Sequence, residues 1–134
     1  MEKSSYDIFI YTTPYRDTIQ LEWNGLISVR DRMMRQYVPG PSDGSFMTTE
    51  KEFTPPVVNY TSNFPTGFAA EMYGMWCLVG DFMAGPFISY TFPDNRTGNL
   101  VTVEGYVYYP NHDKRDDVLQ LQSLIYSIRM PAEE

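Results

Sequence analysis

The chain has 134 residues, 43% hydrophobic and 16% aromatic, which is enough apolar surface to offset ordering entropy and too little length for a second core. Ten Lys and Arg against seventeen Asp and Glu leave a formal charge of -7, a field that keeps a small domain dispersed and repels phosphate backbones and anionic lipid, so nucleic acid is not an expected partner. Cys77 is the only cysteine, which excludes an internal disulfide and a cysteine-rich zinc site and leaves the redox compartment open.

The opening MEKSSYDIFIYTTPYRD lacks the basic start and long apolar stretch of a secretory signal, and no window approaches a spanning helix, so the chain as given is expected to be soluble. Within it, YDIFIYTT at 6–13 is β-branched and aromatic and stops at Pro14, which predicts a strand. The period then changes: Ile19, Trp23, Leu26, Ile27, Met33, Met34 and Tyr37 form one apolar stripe, an amphipathic helix of about five turns. Asp17 and Gln20 have capping-box spacing at its start, and Pro39-Gly40-Pro41 ends it.

The Pro- and Gly-rich stretch 39–56 reads as one long connection, a kind of loop that often carries function. Extended segments follow at about 57–62, 67–79, 86–92 and 99–109, joined by short turns as in an antiparallel meander. In the last of them Val101, Val103, Val107 and Tyr109 alternate with Thr102, Glu104, Tyr106 and Tyr108, an aliphatic face against an aromatic-polar one. DKRDDVLQLQSLIYSIRM then starts at Asp113 and Asp116 and places Val118, Leu121, Leu124, Ile125 and Ile128 on one side of a second amphipathic helix.

The order β-α-β-β-β-β-α predicts an α+β domain, residues 1–134, with about five antiparallel strands and both helices on one face; a ferredoxin-like sheet is the alternative. Two helices on one face leave the other bare. Tyr106 and Tyr108, with Tyr90 and Phe92 or their neighbours, are expected to form an exposed aromatic contact surface there.

Residues with chemistry are few. His112 reads as a solvated turn residue, and no metal or cofactor motif is present, so no metal or cofactor is expected. Cys77 sits in MWCLVG and reads as a small buried residue. Glu71 and Glu104 lie mid-strand among apolar neighbours; facing one cleft, they have the residue types for acid and base work on a glycosidic bond, while the bland reading is a pair of solvent-facing or salt-bridged acids. Asp43, Asp81, Asp94 and Asn95 read as turn formers rather than Ca²⁺ ligands. Arg30, Asp31 and Arg32 read as a solvated helix face, with Asp31 and Arg35 at i,i+4 spacing. Asp43 and Ser45, with Gly40 and Gly44, are the loop candidates for contact with another molecule.

RDRMMRQYVPGPSDGSFMTTE at 30–50, and GDFMAGPFISYTF with VTVEGYVYYPNHDKRDDVLQLQSLIYSI within 80–128, resemble domain-of-unknown-function family 4837 of Bacteroides-type bacteria. The family's Met-Gly-Gly-Pro-Phe stretch corresponds to Met83-Ala84-Gly85-Pro86-Phe87, with Ala84 departing from glycine, and its Glu-Gly-aromatic-Val-Tyr strand to Glu104-Gly105-Tyr106-Val107-Tyr108. Lys114-Arg115 matches the opening of its final helix. The resemblance implies the C-terminal part of a longer secreted envelope lipoprotein, attached to a membrane only through an anchor absent from this chain. It also implies that the aromatic sheet face meets the missing N-terminal half, a protein partner or a second copy. By fold-level analogy the arrangement is similar to small sandwiches of the Mog1/PsbP type. Together these readings predict a non-catalytic envelope binding or assembly domain, with a carbohydrate-active hydrolase or carbohydrate-binding module as the alternative.

Overall fold

Where the sequence alternates β-branched and aromatic residues with polar ones, the backbone pairs. The computed structural model describes residues 5–40, 43–80, 83–108 and 114–127. They form β1 (Ser5–Pro14), α1 (Trp23–Tyr37), β2 (Phe46–Thr49), β3 (Val57–Phe64), β4 (Gly67–Val79), β5 (Ala84–Asp94), β6 (Asn99–Tyr108) and α2 (Lys114–Tyr126). Every pairing is antiparallel, in the order β1-β6-β5-β4. Strands β2 and β3 share the outer edge of the long β4: β3 starts opposite Tyr73, and β2 runs from Phe46 opposite Val79 to Thr49 opposite Trp76. Strands β3 to β6 are thus the expected meander, and β1 returns to β6 in unbroken register from Ser5–Tyr108 to Pro14–Asn99.

The first helix is shorter than its stripe predicted. The Asp17–Gln20 capping box forms, but it closes a single 3-10 turn, Thr18–Leu21, after which Glu22 is extended and α1 begins at Trp23. The Gln20 amide also donates to the Pro14 carbonyl at 3.0 Å and its oxygen accepts from the Arg16 N–H, tying this turn back to the end of β1. Ile19, expected in the buried stripe, is therefore exposed.

The connection 39–56 is likewise more ordered than a loop. The Gly40 N–H donates to the Ser45 carbonyl at 2.8 Å and the Met47 N–H to that of Val38 at 3.1 Å, folding the segment back so that Met47 and Thr49 of β2 turn inward. After β2 the Glu50 carboxylate accepts from the N–H groups of Phe53, Glu52 and Thr54, which holds its carboxyl below the ordinary 4.5.

The α+β class and the antiparallel sheet stand; the placement of both helices on one face does not. Leu26, Ile27 and Met34 of α1 pack with Met72, Trp76, Phe87, Leu100 and Tyr106. Val118, Leu121 and Ile125 of α2 pack with Ile88, Tyr90, Val101, Val103 and Val107. Successive strand side chains point to opposite faces, so Leu100 and Tyr106 lie on one side of β6 and Val101, Val103 and Val107 on the other. The helices sandwich the sheet. The physical reason is that β6 lies between β1 and β5 and is buried continuously from Leu100 to Val107, so both of its faces need cover. A ferredoxin-like β-α-β-β-α-β order does not describe this arrangement.

Two glycines allow the layers to approach. A Cβ on Gly85 would meet the Val107 carbonyl oxygen and lie 2.8 Å from Trp76 Nε1, whose N–H donates to that same carbonyl at 3.0 Å. A Cβ on Gly105 would meet Leu121 Cδ2 at 2.8 Å, directly beneath α2. Gly85→Ala presses on fixed backbone, whereas Gly105→Ala presses on a methyl that can rotate aside. We expect Gly85→Ala to lose about 1–3 kcal/mol in urea denaturation and Gly105→Ala distinctly less; equal losses would contradict this account.

Candidate functional site

Arg30 occupies the i+4 step between Leu26 and Met34 on the buried side of α1 and is itself fully buried, as is Glu104 on β6. Its Nε donates to Glu104 Oε1 at 2.7 Å and its Nη2 to Oε2 at 2.9 Å, a two-pronged match of guanidinium to carboxylate. The guanidinium carbon sits 3.9 Å above the Phe87 ring. Nη1 donates to Thr49 Oγ1 at 2.8 Å; that hydroxyl donates to Asp31 Oδ1 at 2.6 Å, and Asp31 Oδ2 pairs with Lys51 Nζ at 2.8 Å. A polar chain thus runs from the core to the surface. Arg30 is not part of a solvated face, and Asp31 is paired with Lys51. Burial pushes the Glu104 carboxyl above its ordinary value against the pull of Arg30, and burial, reinforced by the Glu104 charge, raises the Tyr11 phenol. With both oxygens occupied and no solvent access, Glu104 is placed to orient α1 rather than to exchange protons with a substrate.

Glu71 lies on the other side of the sheet. It accepts from the Tyr90 hydroxyl at 2.6 Å, and Gln122 of α2 donates to the same hydroxyl at 2.8 Å. Glu71 and Glu104 therefore occupy opposite faces and share no cleft, which removes the paired-carboxylate hydrolase reading. The expected aromatic surface is also corrected. Tyr106 is 3% exposed and packs edge-on to Trp76 beneath α1, while Tyr90 and Phe92 are buried on the α2 side. The side chain of Tyr108 lies outside the described residues, as do Asp81 and His112.

The loop candidates separate in the same way. Asp43 points outward from a tight turn, whereas Ser45 is buried against Gly40 and Gly80, so the two do not form one surface. Cys77 is partly buried, and burial pushes its thiol up, with the negative charge of Glu50 adding to the shift. Asp94 accepts from the Arg96 N–H and the Thr97 hydroxyl and shapes the β5–β6 turn. Among the described residues, no three His, Cys, Asp or Glu side chains converge.

Sequence reasoning missed the surface that is open. At the end of the α1 face, Tyr60 of β3 and Phe68 of β4 lie nearly parallel, 11° between planes and 6.1 Å between centroids, and are 55% and 42% exposed. That separation makes the stack an offset one, which leaves ring face open. The Tyr60 hydroxyl donates to the Leu21 carbonyl at 2.8 Å, and Trp23 Nε1 donates to the Pro56 carbonyl at 2.7 Å, so both β3 and its tyrosine are pinned to the start of α1. These rings, with Tyr15, Leu21, Glu22 and Pro93, line an open cleft of about 430 Å³. A smaller recess of about 180 Å³ at Arg16 and Asp17 adjoins it through Tyr15 and Thr18. The sequence signal was thin: a tyrosine in the middle of one strand and a phenylalanine near the start of the next.

A second open area flanks α2, which covers β5 and β6. On one side Val57 and Tyr73, directly opposite each other on β3 and β4, are 51% and 42% exposed; on the other side Ile8 and Ile10 of β1 are exposed. Among the described residues, the apolar side chains exposed on this face therefore include these, and not Tyr90 or Phe92.

The model of a family described as domain of unknown function (DUF4837) matches residues 1–127, and the chain belongs to that family. No curated protein matches the sequence. Among the described residues, no helix is long and apolar enough to cross a membrane.

Removing one member of a buried ion pair leaves its partner unpaired, and this costs far more than removing both. We expect Arg30→Met to destabilise the chain by about 3–5 kcal/mol and the Arg30→Met/Glu104→Leu double variant by less than Arg30→Met alone. Urea denaturation of the three proteins measures this; a double variant at least as unstable as the single would refute the assignment.

Proposed function

We propose that this DUF4837 member is a non-catalytic binding domain of the cell envelope, and that its contact site is the Tyr60–Phe68 shelf. The open ring pair, with Tyr60 pinned by its hydroxyl, carries the reading. The Tyr60 ring is held before any ligand arrives, so little of its side-chain entropy remains to be lost on binding. The disposition of the acids supports a role other than catalysis: Glu104 is locked to Arg30, and Glu71 is engaged on the opposite face. The resemblance to envelope lipoproteins supports the location. The test is aromatic ¹H–¹³C NMR of the whole chain against soluble glycan fragments, peptides and lipid headgroups of the envelope. At least one compound is expected to shift the Tyr60 and Phe68 rings saturably and to lose that effect in Phe68→Ala. Ligands that leave these rings unmoved would sink the site, and chemical turnover of a bound compound would sink the non-catalytic assignment.

The flank beside α2 favours a second contact, with a protein. Val57 and Tyr73 form an exposed cross-strand apolar pair on a face that a helix already half covers, a setting in which further burial gains apolar surface at little cost in order. A photocrosslinking residue in place of Tyr73 is expected to give a discrete protein adduct in cells that is absent when the probe replaces the exposed Asn95. The adduct's mass separates a second copy from another protein, and no adduct would end this reading.

A further inference from the structure

We propose that the shelf takes the apolar face of a neutral pyranose ring, an inference that rests on reading the shelf as a binding site and adds the chemical class of its ligand. The ring C–H bonds of a sugar carry partial positive charge and meet the negative face of an aromatic ring favourably. Tyr60 and Phe68 offer two such faces, only 11° apart in orientation and half open to solvent.

The rim adds the complementary polar chemistry. Sugar hydroxyls both donate and accept, and the walls of the cleft and its adjoining recess present a donor in Arg16, acceptors in Asp17 and Glu22, and a group that does both in Thr18. Other ligand classes fit less well. A wholly apolar molecule needs an enclosed site that removes most of its surface from water, and this cleft is open. A phosphorylated or uronic ligand meets two rim carboxylates and a net charge of -7. A quaternary ammonium group needs ring faces converging around it, whereas these two are nearly parallel.

The experiment titrates the whole chain with N,N′,N″-triacetylchitotriose and with cellotriose, and in separate arms with choline chloride and glucose 6-phosphate, reading the Tyr60 and Phe68 ring resonances. A saturable shift with one of the neutral oligosaccharides, little changed by added salt, is expected. Phe68→Ala should weaken that binding about three- to tenfold, while Leu124→Ala, on an exposed part of α2, should leave it unchanged. Circular dichroism of both variants checks that the fold is retained. A response to choline or to the phosphosugar in place of the neutral sugars would overturn the sugar assignment and keep the shelf as a binding site. Silence in all four arms, with a shift from an envelope peptide, would also overturn it and keep the shelf. Silence toward every class of compound would remove both.

Discussion

One buried cation holds the α1 layer to the sheet. Arg30 reaches Glu104 on β6, Thr49 and Met47 on β2 and the ring of Phe87 on β5, so three strands converge on a single guanidinium of α1. Taking these charges out of water is expensive, and the two-pronged geometry with extra hydrogen bonds is what offsets it. Among the described residues no buried side-chain nitrogen or oxygen lacks a partner, so neither charge is left without hydrogen bonds. The pair contributes less to net stability than to placement: any slide of α1 along the sheet would strand a charge in the core. The shelf inherits that placement, because Tyr60 and Pro56 are tied to Leu21 and Trp23 at the start of the same helix.

Strands were legible where the cause is local. The limits of β4 match the expectation, and those of β3, β5 and β6 fall within a few residues of it, because turn residues punctuate a period of two. What failed was assignment to layers. The aromatic-polar side of β6 reads as an exposed contact surface, yet Thr102, Glu104 and Tyr106 are all buried. Thr102 is satisfied by the Thr91 hydroxyl across the β5–β6 hairpin, and the other two by residues distant in sequence: Glu104 by Arg30, and Tyr106 by Asp7 together with Trp76. Arg30 was misread for the same reason, since charge suggested solvent while its spacing from Leu26 and Met34 put it on the buried side. The shelf draws on the first turn and on β3, β4 and β5, so no single window of sequence contains it.

Two short stretches that carry the family resemblance have structural meanings. In Glu104-Gly105-Tyr106 the glutamate receives Arg30, the glycine admits α2, and the tyrosine packs on Trp76. In Met83-Ala84-Gly85-Pro86-Phe87 the second glycine position makes room for the Trp76 indole and the Val107 carbonyl, while Ala84 is exposed, so a side chain there meets no such constraint. Both motifs build the scaffold. Neither touches the shelf, so they describe how the domain is built rather than what it holds.

The return of β1 to β6 also fixes an order of events during synthesis. Strand β1 is made before the rest of the sheet but pairs only with β6, and Arg30 waits for a glutamate 74 positions later in the chain. The meander β3 to β6 closes through short turns and assembles as it emerges. Until β6 is complete, β1 has no strand to pair with and the Arg30 guanidinium lacks its carboxylate, an interval during nascent-chain growth when other molecules can reach them first.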